Sequence, residues 1–273
     1  SGGSTSFPLG TVHSGVYSTW IDFLLKRKEL NKYCINTFSI AFPGFNTERE
    51  LKTLRYLLKD NSYFLNKKTI LISFSGINEL ENDSRKLYYP RKNYKIFPFT
   101  KKLLLKIRRI SSYLVNLYSL QNKNANDLME NSDKFLSEKD IYQNTSNWKL
   151  NLERMNRILV DNQIEFIQIL QPTLGVKSDP ILLKETILKV NNPIRGALLA
   201  NIFNNGYFSG INKIYKSFSK NCLEMKFCID GSKDRDLLLL NSNINLYSDY
   251  RHPNSDGNKI IADYILKKII EKL

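Results

Sequence analysis

The chain has 273 residues, a formal net charge of +15, and 42% hydrophobic with 12% aromatic content. That composition fills the core of one large α/β domain or two small ones and excludes global disorder. No apolar run reaches the roughly 20 residues that span a bilayer; the longest, such as Ile70–Ile72 and Leu237–Leu240, are strand-sized.

The opening Ser1-Gly2-Gly3-Ser4-Thr5-Ser6 is a small-residue turn, followed by Trp20, Phe23, Leu24 and Leu25 near helical spacing. Residues 33–41 are β-branched and aromatic enough for a strand, ended by Pro43-Gly44. Asn46 or Thr47 then caps a helix through Leu57 or Leu58, with Glu48 and Glu50 in its first turn. Residues 69–74 are the clearest buried strand, ended by Ser75-Gly76. The stretch 85–140 breaks this rhythm: aromatic, basic and Asn-rich, with a helical run over 101–120, it reads as an inserted cap segment. Rhythm returns with a helix over about 146–160 and a strand over 164–170, stopped by Pro172. Helix and loop follow over 191–218, a short helical or extended piece over 237–240, and an amphipathic helix over 257–273. Strands alternating with helices imply a parallel sheet covered on both faces, in one domain over 1–273.

Three short motifs carry candidate chemistry. In Asp249-Tyr250-Arg251-His252-Pro253-Asn254-Ser255-Asp256-Gly257, an acid and a histidine three residues apart can face each other on one turn. The carboxylate then holds imidazole Nδ1–H and leaves Nε2 as a base. In Gly2-Gly3-Ser4-Thr5 the glycines permit the tight, exposed turn that a nucleophile requires, although Gly/Ser composition equally suits a terminal linker. In Ser75-Gly76-Ile77-Asn78-Glu79 a glycine and an asparagine follow a buried strand, where a side-chain amide can meet an oxyanion. Gly and Asn are also common in ordinary turns. The turn Pro43-Gly44-Phe45-Asn46 can add a backbone N–H beside it.

The order and spacing of these pieces resemble the four sequence blocks of SGNH (GDSL-like) hydrolases. The resemblance covers most of the chain outside 85–140. It implies a three-layer α/β/α fold with a central parallel sheet of flavodoxin-like type. It further implies Ser4 as nucleophile, His252 as general base and then acid, and Asp249 as its orienting partner. The oxyanion hole would be the Ser4 N–H, the Gly44 N–H and the Asn78 side chain. The family's usual Asp before the serine is Gly3 here, and the usual Asp after the block-three Asn is Glu79. Members with a GGST-type first block often act on acylated surface polysaccharides. The expected activity is therefore removal or transfer of O-acyl groups on carbohydrate, with no cofactor and no metal. Because the chain starts at Ser1, the strand that leads into the nucleophile is expected to lie in a preceding segment.

Other assignments find less in the sequence. The two histidines and dispersed cysteines match no common catalytic zinc spacing, and no Walker A or GxGxxG motif occurs. Cys34, Cys222 and Cys228 are too few and odd in number for a disulfide framework. Cys222 and Cys228 can pair, but small buried apolar residues are the expectation, and this usage permits cytoplasm or periplasm. A nucleic-acid partner would suit the charge, yet no RRM, KH or helix-turn-helix pattern is present. Residues 101–110 form a basic amphipathic run suited to a lid helix, or to contact with an anionic membrane surface or acidic glycan. The rival to an esterase is a glycan-binding module that keeps the fold without the chemistry.

Overall fold

A computed structural model describes residues 46–59, 68–80, 137–176, 180–190, 206–248 and 252–272, together with 196, 199, 200, 203 and 204. The strand expected over 33–41 and the helical run over 101–120 lie outside these residues, as does most of the cap segment.

Helix α1 (Thr47–Leu57) starts where its cap dictates: the Asn46 side chain accepts the Arg49 N–H, and Glu48 and Glu50 stand in the first turn. Leu51 and Leu54 are its buried face. Strand β1 (Ile70–Ser75) turns fully buried over its last three residues. Helix α2 (Glu138–Asp161) opens with a capping box between Ser137 and Asp140. It buries Thr145, Trp148, Leu152, Met155 and Leu159, alternately three and four residues apart, as one stripe of a 3.6-residue helix must. Gln163, at a left-handed φ of 57°, turns the chain into β2 (Glu165–Leu170). Helices α3 (Pro180–Leu188) and α4 (Tyr207–Leu223) precede β3 (Cys228–Asp230). The chain then runs through short helical turns, including α5 (Leu239–Ser242), to α6 (Ser255–Ile270).

The three strands form a parallel sheet in the order β1-β2-β3. Its register pairs Ile70 with Glu165 through to Ser75 with Leu170, and Gln168 with Cys228 through to Leu170 with Asp230. Among the described strands β2 lies between the other two and is nearly all buried, so Phe166, Ile167, Ile169 and Leu170 do not alternate with exposed residues, and buried Gln168 donates to Ser75 Oγ. Helix α2 packs against α1, α4 and β2, and α4 also packs against β2 and β3. The expected α/β class with a parallel sheet is therefore present among the described residues.

Three expectations change. Helix α2 begins at 138 rather than about 146, and so reclaims the end of the stretch assigned to the cap segment. The short β3 and the helix α3 were not anticipated. The helix expected between 191 and 218 is present: 196, 199, 200, 203 and 204 are helical, and α4 follows and extends to Leu223. Cys222 and Cys228 are not separate buried thiols but a disulfide with a Cα–Cα distance of 5.3 Å, because the tight turn from α4 into β3 brings them together. Closing so short a loop is expected to contribute about 2 kcal/mol to stability. A denaturant titration of Cys222→Ala/Cys228→Ala checks this; an unchanged midpoint would mean the bridge contributes nothing.

Candidate active site

All three strands are parallel, so their carboxyl ends lie along one edge, the edge where open α/β sheets carry their sites. The chain leaves β1 through Gly76, whose φ of 142° is closed to ordinary side chains. A Cβ there would stand 2.7 Å from Leu170 Cδ1, so only glycine fits both backbone and neighbour. The next residues form a 3₁₀ turn (Ile77–Leu80) that is anchored by fully buried Ile77 and carries Asn78 and Glu79, both buried.

This turn is braced from beneath and from the side. Ser75 Oγ accepts from Trp148 Nε1 at 3.3 Å and from Gln168 Nε2 at 3.1 Å, joining α2, β1 and β2 under the glycine. Gln171 N–H donates to the Ser75 carbonyl at 2.9 Å, and Tyr215 Oη donates to the Gln171 carbonyl at 2.7 Å. On the α1 side, Glu79 Oε1 accepts the Thr47 N–H at 2.6 Å, and Glu50 Oε2 accepts from Ser73 Oγ at 2.7 Å. Burial pushes the Glu79 carboxyl up to about 7, against the lowering effect of its backbone and hydroxyl bonds from Thr47; nearby Glu50 and Glu48 add to the rise.

The second motif is held mainly by backbone. Ser248 N–H donates to the His252 carbonyl at 2.8 Å, and Tyr247 bridges Pro253 in antiparallel fashion. Asn254 caps α6 by accepting from the N–H groups of Asp256 and Gly257, while its Nδ2 donates to the Asn245 carbonyl at 2.7 Å. Asn258 Nδ2 donates to the Pro253 carbonyl at 3.2 Å. Gly257 is required by close approach: a Cβ there would meet the Leu246 carbonyl oxygen at 2.4 Å and Pro253 Cβ at 2.9 Å. The Pro-Asn-x-x-Gly-Asn run after the histidine is thus a fitting that fixes the backbone at 252, with the His252 side chain half-buried.

The two motifs connect along the sheet edge. Asn241 of α5 accepts the Gly175 N–H on its carbonyl at 2.8 Å and donates its side chain to the Ser232 carbonyl at 2.8 Å. These bonds fasten the loops after β2 and β3 to the segment before His252, and Tyr247 Oη donates to the Leu240 carbonyl at 2.7 Å within it. Gln171 holds the other side, at β1.

Of the five expected site residues, Asn78 and His252 are described, each on a segment tied to this carboxyl edge. Ser4, Gly44 and Asp249 lie outside the described residues. Not anticipated was the burial of the carboxylates at Glu50 and Glu79, which acidic residues in a first helical turn and a polar loop do not announce. Thr173 Oγ1, after β2, is fully buried and has no hydrogen-bond partner among the described residues. Among the described residues no cluster of His, Cys, Asp and Glu is arranged to hold a metal ion. No helix among them is long and apolar enough to cross a membrane.

Compared with known proteins, the chain matches no family model and no curated protein sequence.

Proposed function

We propose that the chain is a serine-dependent ester hydrolase of the SGNH type, removing or transferring O-acyl groups on carbohydrate. The observation that carries this reading is that Asn78 and His252 each stand on a segment tied to the same edge of the sheet. One sits in a glycine turn directly after a parallel strand, the other in a backbone-locked loop before the last helix, and both are tied to the carboxyl edge of the sheet.

In this reading Ser4 Oγ attacks the acyl carbonyl while His252 takes the hydroxyl proton. Asp249 holds the imidazole and stabilises its charged form. The oxyanion accepts from the Asn78 side-chain amide and from the N–H groups of Ser4 and Gly44. Collapse of the tetrahedral species breaks the ester C–O bond, and His252 returns the proton to the departing sugar oxygen. The acyl-serine is resolved by water, or by a second sugar hydroxyl in the transferase variant. The Asn78 amide acts well only if it is already aimed, and the buried Ser75, Gln168 and Trp148 bonds beneath its turn supply that rigidity. The Cys222–Cys228 bridge favours an oxidising compartment for this chemistry. The basic run 101–110 is the natural contact for an acidic glycan or anionic membrane surface.

A fluorophosphonate probe tests the reading, with wild type, Ser4→Ala and His252→Ala compared. Labelling at Ser4 that is lost in Ser4→Ala and in His252→Ala is the expected result. A folded wild type that stays unlabelled would reject the esterase and favour a glycan-binding module that keeps the fold without the chemistry.

A further inference from the structure

We propose that Glu79 is a positioning residue for the Asn78 oxyanion donor, acting as a clasp between the turn after β1 and the first turn of α1. The inference rests on the esterase reading and deepens it.

The geometry is specific. Glu79 directly follows Asn78 in the turn, and its Oε1 receives the Thr47 N–H at 2.6 Å across 32 residues of sequence. That N–H belongs to the first residue of α1, one of the helix donors that has no partner inside the helix. Asn46 serves the Arg49 N–H instead, so the two acceptors divide the exposed donors of one helix end between them. The Thr47 hydroxyl in turn receives Asn151 Nδ2 of α2 at 3.3 Å. Glu79 is therefore fixed from α1 directly and from α2 through Thr47. Since Asn78 shares its peptide backbone, freedom at 79 becomes freedom of the amide that must meet the oxyanion. In sequence Thr47 stands three residues after Gly44, another of the three donors of the proposed hole, so the clasp joins the chain segments of those two.

The clasp is also proton-sensitive. Among the described residues the groups facing Glu79 are Glu48 and Glu50 of α1, both acidic, with neutral Thr47 of α1 and, through it, neutral Asn151 of α2. Burial and this acidic company hold the carboxyl near 7 against its usual value of 4.5. The folded protein then keeps a proton that the unfolded chain releases. Stability from this group is fully present below about pH 4.5 and is lost as pH rises through about 7.

The test uses the whole chain with p-nitrophenyl acetate and compares wild type, Glu79→Ala and Glu79→Gln. The clasp requires kcat to fall about tenfold or more in Glu79→Ala with KM little changed, the loss expected when a donor is only loosely aimed. It requires recovery in Glu79→Gln, whose amide oxygen still accepts the Thr47 N–H. The Thr47 amide resonance should titrate with a midpoint near 7 in the wild type and stay flat in Glu79→Gln. Equal kcat in all three proteins, or a Thr47 resonance indifferent to pH, overturns the proposal. A wild type that hydrolyses no ester sinks the esterase reading instead, and the Thr47 titration alone then decides for or against the clasp.

Discussion

His252→Ala is expected to lower ester hydrolysis by about a thousandfold or more, the scale of loss when the general base of a serine triad is removed. The same substitution should leave the protein folded, because the backbone ties at position 252 do not depend on its side chain. The Ser248 N–H bond to its carbonyl and the bridge from Tyr247 to Pro253 survive any side chain there. Rates on p-nitrophenyl acetate and a denaturant titration separate the two effects. Activity within tenfold of the wild type would remove His252 from the mechanism. A large fall in stability would instead assign it a packing role.

The second large effect is on stability. Trp148 is fully buried at the middle of α2, edge-on to Phe218 with ring centroids 4.9 Å apart, and it donates Nε1 to Ser75 Oγ. Trp148→Ala removes the largest side chain of that stripe, leaves a cavity behind the carboxyl end of β1 and deprives Ser75 of a donor. Losses for such truncations run at about 3–5 kcal/mol. Trp148→Phe keeps most of the ring and forfeits chiefly the hydrogen bond, so about 1 kcal/mol is expected beyond the small volume change. Urea titrations of both variants check the order. A Trp148→Ala loss below about 1 kcal/mol would mean that the indole is not packed as described.

How much could be read before the structure depended on how local each signal was. Helix α1 was bounded correctly because Asn46, Glu48 and Glu50 announce its start within a few residues. Strands β1 and β2 stood out as short apolar runs closed by Gly76 and by Pro172, and α6 by its periodicity before the chain end. The start of α2 was missed because its first turns are polar: Thr145 is the first of its fully buried residues, seven positions after the helix begins. Helix α3, Pro-Ile-Leu-Leu-Lys-Glu-Thr-Ile-Leu, is apolar around much of its circumference and so lacks a clear stripe. Strand β3 has three residues, too few for any period to show.

The candidate site divides in the same way. Asn78 and His252 stand in short motifs whose glycines the structure explains: Gly76 by its φ, Gly257 by contact with the Leu246 carbonyl. The tie between Glu79 and Thr47 was out of reach, since it joins positions 32 apart through a helix end that must first be folded. The Cys222–Cys228 bridge likewise depends on a turn geometry that spacing alone leaves open.

The pairing of Ile70 with Glu165 has one more consequence, for the speed of folding. The two partners are 95 positions apart (165 − 70), in a parallel pair of strands covered by packed helices. Contacts so distant in sequence are slow to form, because the chain must close before they reward it. The strand end from which Asn78 leaves is therefore completed late, after the flanking helices have formed from their own local contacts.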